Sequence, residues 1–430
     1  MTELLDALPA VVRILLVFIL ILILIKRHWS LGNAFLTGSI TLGLLFGMHP
    51  TSIVKGIFNA LMHPKTLSLS IVVSLILVLS HSLEKSGQMG RLLENYKGLV
   101  RRPRLNLVVF PALIGLLPMP GGAIFSAPMV KNLGAAHQLP GATLSYINYW
   151  FRHIWEYWWP LYPGILLTTA LAGIDLWRLV VYSMPLTLVA VAVGYWPLRG
   201  NTINGAAGVR SKPFGPFFKE LAPVAFVIFF GLGLGAVFSA LMPPVVRPVA
   251  KEVGLIAALL AAIALVWRQN RMPAKTCVTL LVQPTMVKMI YMVAGILIFK
   301  GVLEDSGAVE RLSQEMLDWQ IPLVPIAMLL PFIVGIVGGI TIAFVGATFP
   351  ILVSLINSLG QSDLMLPYMM LALVCGFSGV LVSPLHLCLL LSNEYFETNL
   401  VAVYRCLWGP VAALAVGGIG YFGLLCWGMG

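Results

Sequence analysis

The chain has 430 residues, of which 59% are hydrophobic and 10% charged, with a formal net charge of +11 and a mean hydropathy of +0.95. Soluble domains carry roughly a quarter charged residues, so the composition excludes a soluble globular protein and points to an all-α polytopic membrane protein. The basic residues flank apolar runs, as in cytoplasmic loops of membrane proteins, which removes the net charge as a signal for nucleic acid.

Apolar runs of about 20 residues match a bilayer core of about 30 Å. The first, within MTELLDALPAVVRILLVFILILILIKR, starts acidic and has no small-residue cleavage site. It reads as a retained span over 8–25 and not as a signal peptide. Further spans are expected at 31–48 and 66–83, then a polar arm, then an apolar stretch at 105–133 interrupted by Pro and Gly. Spans at 143–172 and 176–197 follow. The second part of the chain repeats the pattern, with spans at 217–241, 250–267 and 285–303, an arm, an interrupted stretch at 321–358, and spans at 365–392 and 401–427. Interrupted stretches are tolerated at membrane depth only where their backbone is enclosed by protein or lines a cavity. Both therefore read as re-entrant hairpins.

An echo supports this reading. LEKSGQMGRL at 83–92 returns as LEDSGAVERL at 303–312. The same register pairs Pro111 with Pro331, Gly115 with Gly335, Ala123 with Ala343 and Ala127 with Ala347. After a shift of four residues it pairs Pro160 with Pro384. The expected organisation is two repeats, each of five spans and one hairpin. The first comprises 1–104 and 105–200, a linker occupies 201–216, and the second comprises 217–320 and 321–430. Five crossings are an odd number, so the second repeat should be inverted. The charges fit: Lys85, Arg91, Lys97, Arg101, Arg102 and Arg104 make the first arm basic, whereas Glu304, Asp305, Glu310, Glu315 and Asp318 make the second acidic. Lys26, Arg27, Arg199, Arg210, Lys212, Arg268, Arg271 and Lys275 fall on the side of the first arm. That side is expected to be cytoplasmic, with both termini outside a cell (inner) membrane, and both arms to form amphipathic helices at opposite surfaces. Inverted repeats with broken membrane segments are the pattern of secondary transporters.

The first hairpin centres on LPMPGGAIFSAP at 117–128, where Pro118 and Pro120 end one half-helix and Gly121 and Gly122 turn the chain into the next. The second centres on VGGITIAFVGAT at 337–348, with Gly338, Gly339, Thr341, Gly346 and Thr348. Half-helix N-termini suit an anionic group. Gly121, Gly122, Ser126, Gly339, Thr341 and Thr348 are thus candidate substrate contacts; the competing reading of the glycines is close helix packing.

The span at 143–172 carries Arg152, His153 and Glu156 near the bilayer middle, where ionisable groups mark a pathway or a buried pair. Arg152 is the candidate partner for substrate charge. Glu156 and His153 are candidate proton carriers, the latter because histidine exchanges protons near neutral pH. At spacing i,i+4, Arg152 and Glu156 could instead neutralise each other. In the matching span, Gly376, Ser378, Gly379, Ser383 and Pro384 predict an unwound middle, with His386 just beyond. Ser378 and Ser383 are read as substrate contacts, and His386 as a third proton candidate or a packing residue. Arg13 is read as reaching an interface.

The cysteines Cys277, Cys375, Cys388, Cys406 and Cys426 show no CxxC spacing. They read as small core hydrophobes rather than disulfide or metal ligands. GFSG at 376–379 matches the GxSG of rhomboid-type proteases, but its only downstream histidine, His386, lies in the same run. A Ser–His dyad requires a histidine held on a separate element. No HExxH or P-loop is present, so no ATP-driven or enzymatic role is expected.

In its paired hairpins at 117–128 and 337–348 and its spans interrupted at Pro160 and Pro384, the chain resembles the ion transporter superfamily of divalent-anion/sodium symporters and gluconate-type permeases. LPMPGGAIFSAPMV is most similar to domain-of-unknown-function family 401 within that group. The resemblance implies a scaffold of early spans, a mobile part of hairpins and broken spans, a homodimer and elevator-like alternating access. The Ser-Asn-Thr tips of those symporters are absent here. The expected function is secondary transport of a small, carboxylate-like organic anion, coupled to H+ or Na+, with no cofactor and no resident metal. Sodium/proton antiport and intramembrane proteolysis are the alternatives.

Overall fold

The computed structural model describes residues 8–97, 99–100, 102–119, 121–135, 137–199, 213–243 and 247–429. Arg101, Pro120, Arg210, Lys212 and most of the linker at 201–216 lie outside the described residues, as do the first seven positions. The described residues are helical, without strands. Among the described residues, eight helical segments are long and apolar enough to cross a bilayer, so the protein is a multi-pass membrane protein.

The first part begins with α1 (Ala10–Lys26), α2 (Leu31–Leu45) and α3 (Pro50–Met62), followed by α4 (Pro64–Lys85) and α5 (Gln88–Tyr96). The hairpin is α6 (Pro103–Gly115) and α7 (Ala123–Ala135). The long span expected at 143–172 is broken into α8 (Gly141–Arg152) and α9 (Pro163–Ala172), and α10 (Leu176–Ser183) and α11 (Pro185–Gly194) complete the part. Helix α12 (Gly215–Leu241) opens the second part, with α13 (Ala250–Gln269), α14 (Ala274–Leu281), α15 (Pro284–Asp305) and α16 (Ala308–Asp318). The second hairpin is α17 (Leu323–Gly338) and α18 (Thr341–Ser358). The last broken span is α19 (Met365–Leu381) and α20 (Leu387–Tyr395), and α21 (Leu400–Met429) ends the chain.

Local chemistry sets these boundaries. Proline opens α3, α4, α6, α9, α11 and α15 at the first helical position, where its missing N–H costs nothing. Gly87 and Gly307 each stand in the left-handed region, with φ of +69° and +65°. There they turn the chain out of α4 and α15 into the arm helices. Both arms are amphipathic. Met89, Leu92, Leu93 and Tyr96 are buried on α5, and Val309, Leu312 and Met316 on α16. Two short helices, α3 and α14, precede α4 and α15 at matching positions and were not foreseen as elements.

Helices α2 and α15 cross at Gly32 and Gly295, where a Cβ on Gly295 would stand 3.0 Å from the Gly32 Cα. Such approach is how small residues pack membrane helices. Arg13 is buried at the opposite end of α2, donating to the carbonyls of Leu8 at 2.9 Å and Leu45 at 3.3 Å and lying over the Phe46 ring. It does not reach out to an interface.

Contacts around the two hairpins recur in one register. Gly115 lies against the Arg152 carbonyl, and Gly335, 220 positions on, against the Gly376 carbonyl, 224 positions on. Trp155 donates to the Ala112 carbonyl at 2.8 Å; its counterpart Gly379 lies against the Phe332 carbonyl. Trp159 donates to the Leu116 carbonyl at 2.8 Å, and its counterpart Ser383 donates to the Ile336 carbonyl at 2.6 Å. In both parts the broken span thus supplies the donor that the end of the first hairpin helix lacks.

Helix α19 differs from expectation. Gly376, Ser378 and Gly379 lie inside a regular helix, and the break spans 382–386. Glycine alone does not unwind this helix, because its missing side chains are what let α17 approach; Pro384 is what prevents continuation.

Candidate functional site

Four elements meet at the centre: the hairpin tips at 118–119 with 121–122 and at 339–341, and the breaks at 153–162 and 382–386. They line a cavity of about 260 Å3, together with Leu77 of α4 and Met289 and Met292 of α15. Gly121, Arg152, His153, Glu156, Gly339, Thr341 and His386, all candidates from sequence, line it together.

Each tip is built on a left-handed glycine, Gly121 with φ +72° and Gly339 with φ +64°. Gly122 is buried and its Cα faces the Arg152 guanidinium, so a side chain there would occupy the space of the guanidinium. Arg152 closes α8 and donates from Nη2 to the Met119 carbonyl at 2.6 Å. Its Nη1 donates toward His153 Nε2 at 3.4 Å, while its buried Nε has no partner. Glu156 accepts from Thr341 Oγ1 at 3.0 Å. Arg152 and Glu156 form no ion pair, so they do not simply neutralise each other through contact; both are presented to the cavity. The break that separates α8 from α9 explains this, since the i,i+4 geometry of a continuous helix is lost after Arg152.

The tips also reach across the molecule. Thr341 of the second hairpin lies 2.6 Å from where a Cβ on Gly164 would stand, in the first broken span. Gly121 of the first hairpin packs under Leu387 and Leu391 of α20. Across the breaks, His386 Nε2 meets His153 Nε2 at 3.2 Å, and His153 Nδ1 donates to the Tyr149 carbonyl at 2.6 Å.

The remaining candidates stand off the cavity wall. Ser126 donates to Asn148 Oδ1 at 2.6 Å, in a buried polar group with Ser392, which accepts from Asn148 Nδ2 at 3.0 Å. Thr348 returns its hydroxyl to the Phe344 carbonyl of its own helix. Ser383 serves the end of α17. Ser378 is buried in α19 with its hydroxyl unpartnered, and no histidine lies in hydrogen-bond contact with it. Cys388, read from sequence as a core hydrophobe, lines the cavity beside the two histidines. Only the spacing HLC at 386–388 hinted at it.

Comparison with known proteins places this architecture. The solved structure of the Alcanivorax borkumensis YdaH transporter matches with a TM-score of 0.60 at 14% identity, covering 88% of this chain and 88% of that one. The two share a fold. No curated protein matches the chain by sequence. Residues 9–423 match the family model described as "Protein of unknown function (DUF401)", and the chain belongs to that family.

Proposed function

We propose that the protein is a secondary active transporter of a small carboxylate-like anion, bound in the central cavity between the two hairpin tips. One observation carries the reading. Arg152 brings a buried guanidinium to the cavity wall, and its Nε has no partner, in a place where no carboxylate pairs with it. A buried unmatched donor of this kind is costly unless a ligand satisfies it. Helix α7 begins at the tip beside it, adding the partial positive charge of a helix N-terminus.

Glu156, held by Thr341 and free of Arg152, is the carrier assigned to the coupling proton. A proton on Glu156 keeps cavity charge balanced when an anion meets Arg152. The two repeats are read as inverted, the breaks and hairpins as the moving part, and the assembly as a homodimer in the cell membrane with both termini outside. The YdaH transporter's shared fold supports transport as the class of activity.

The test is uptake by the purified protein in proteoliposomes, under an imposed pH or sodium gradient, across a panel of mono- and dicarboxylates. Accumulation of one anion that collapses with the gradient is expected. Absence of flux and of binding for every anion would overturn the reading, and cation flux without any organic solute would replace it with antiport.

A further inference from the structure

Besides Arg152, Glu156 and the hydroxyl residues Thr341 and Tyr162, the cavity presents sulfur and imidazole. His153, His386 and Cys388 are all buried, and one ligand atom from each lies within 4.8 Å of the others. They come from both breaks: His153 follows α8, while His386 and Cys388 stand at the start of α20. Met119, Met289 and Met292 line the same cavity, adding three thioethers to a thiol and two imidazoles.

The hydrogen bonds show which lone pairs are available. A carbonyl can only accept, so His153 Nδ1 carries a proton for Tyr149, and its Nε2 presents a lone pair, met by Arg152 Nη1 only at 3.4 Å, a long contact that an ion at Nε2 would replace. His386 Nε2 faces that lone pair at 3.2 Å and must carry the proton between them. His386 Nδ1 is buried with no partner. Its proton can therefore move to Nδ1 at the cost of the single contact with His153, exposing a second lone pair beside the first. The 3.2 Å separation is close to the ~3.3 Å span of two nitrogens held ~2.0 Å from one tetrahedral metal. The carbonyl behind His153 is the usual outer partner of a metal-bound imidazole.

We propose that His153, His386 and Cys388 form a binding site for a soft monovalent metal ion of the Cu(I) class. Thiolate, thioether and imidazole ligands select such ions. Charge selects the monovalent state: one thiolate neutralises one positive charge, whereas a divalent ion would leave an excess beside the buried Arg152 guanidinium. Binding is balanced as follows. The Cys388 S–H bond breaks and an S–metal bond forms. The proton of His386 shifts from Nε2 to Nδ1, both Nε2 atoms bind the ion, and one proton leaves per ion. No electron is transferred. The bound ion ties the first break to the second. This goes beyond the transport reading and does not rest on it.

The test uses the full-length protein in lipid nanodiscs, titrated with Ag(I) as a redox-inert probe and with Cu(I) under anaerobic chelator competition. One ion per chain is expected, with one proton released per ion and an X-ray absorption spectrum of one sulfur and two nitrogens. Cys388→Ser should weaken binding at least 100-fold. A variant with Cys277, Cys375, Cys406 and Cys426 replaced by Ser should bind like the wild type. Should Cys388→Ser fail to fold, the spectrum and proton count of the wild type decide alone. The proposal is overturned by no binding at micromolar ion, by binding that survives Cys388→Ser, by a shell lacking nitrogen, or by Zn(II) occupying the site while Ag(I) and Cu(I) do not.

Discussion

Glu156 and Thr341, 185 residues apart, are joined by a hydrogen bond of 3.0 Å from the threonine hydroxyl to the carboxylate. The contact fastens the first broken span to the tip of the second hairpin and holds the carboxyl at the cavity. Thr341→Val removes the donor while keeping the shape. Hydrogen bonds to charged groups contribute about 1.5–3 kcal/mol, so gradient-driven uptake should fall roughly 10- to 100-fold, and Thr341→Ser should restore most of it. Glu156→Gln should abolish accumulation under a pH gradient yet preserve substrate counterflow, measured in the same proteoliposomes.

Arg152 offers a planar fork, with one nitrogen engaged by Met119 and another unpartnered. Lysine retains the charge but cannot reproduce that fork. Arg152→Lys should therefore weaken anion affinity by about two orders of magnitude, nearly as much as Arg152→Gln. Equilibrium binding to purified protein checks this, with Met119 left unchanged.

Gly115 and Gly335 each face a carbonyl oxygen of the helix they pack against, closer than any Cβ can stand. Gly115→Ala and Gly335→Ala should each destabilise the fold by about 1–3 kcal/mol or more, read as a lower thermal midpoint in detergent. Gly90→Ala is the control. A Cβ there meets nothing within 4 Å, and in a helix alanine is preferred over glycine by roughly 1 kcal/mol.

Asp175 caps α10 through the N–H groups of Trp177 and Arg178 and pairs with Lys251. Partial burial on its own would raise its pKa, but the Lys251 hydrogen bond and charge, with the two N–H groups, outweigh it and hold the carboxyl below its usual value. Its contribution to stability is complete above the unfolded-state pKa of about 3.9 and is lost as pH falls through the lower folded value. The thermal midpoint of Asp175→Asn should thus lie below that of the wild type at pH 6, and the gap should close toward pH 3.

Glu94 and Gln314 are exposed at equivalent positions of the two arm helices. In a cysteine-free background, Gln314→Cys should react with a membrane-impermeant maleimide in intact cells, and Glu94→Cys only after permeabilisation. Labelling of both from one side would overturn the inverted arrangement.

The hairpins were legible because proline and glycine punctuate a membrane sequence strongly. Pro111, Pro331, Gly115 and Gly335 carried a register that the structure fills with equivalent contacts. The breaks were legible as breaks, but not in extent. Arg152 ends its helix well before Pro160, because the indoles of Trp155 and Trp159 turn to serve hairpin carbonyls, a tertiary demand with no local signal. Gly376 and Gly379 misled in the opposite direction, since a glycine that admits a neighbouring helix reads like one that unwinds its own. Cys388, hinted at only by its place two residues after His386, was hard to read for a simpler reason. Its companions His153 and His386 are assembled from two distant breaks, and spacing along a chain does not report such a meeting.

The 233 residues between His153 and His386 also set a schedule for biogenesis. At about 5–20 residues per second, the ribosome needs roughly 10–50 s to deliver the second histidine after the first. Throughout that interval Arg152, His153 and Glu156 have entered the nascent chain without the wall that later encloses them. The first hairpin is therefore made well before the elements that complete its cavity. Expression of the first 200 residues alone should yield a chain that the cell's membrane proteases recognise as unfinished.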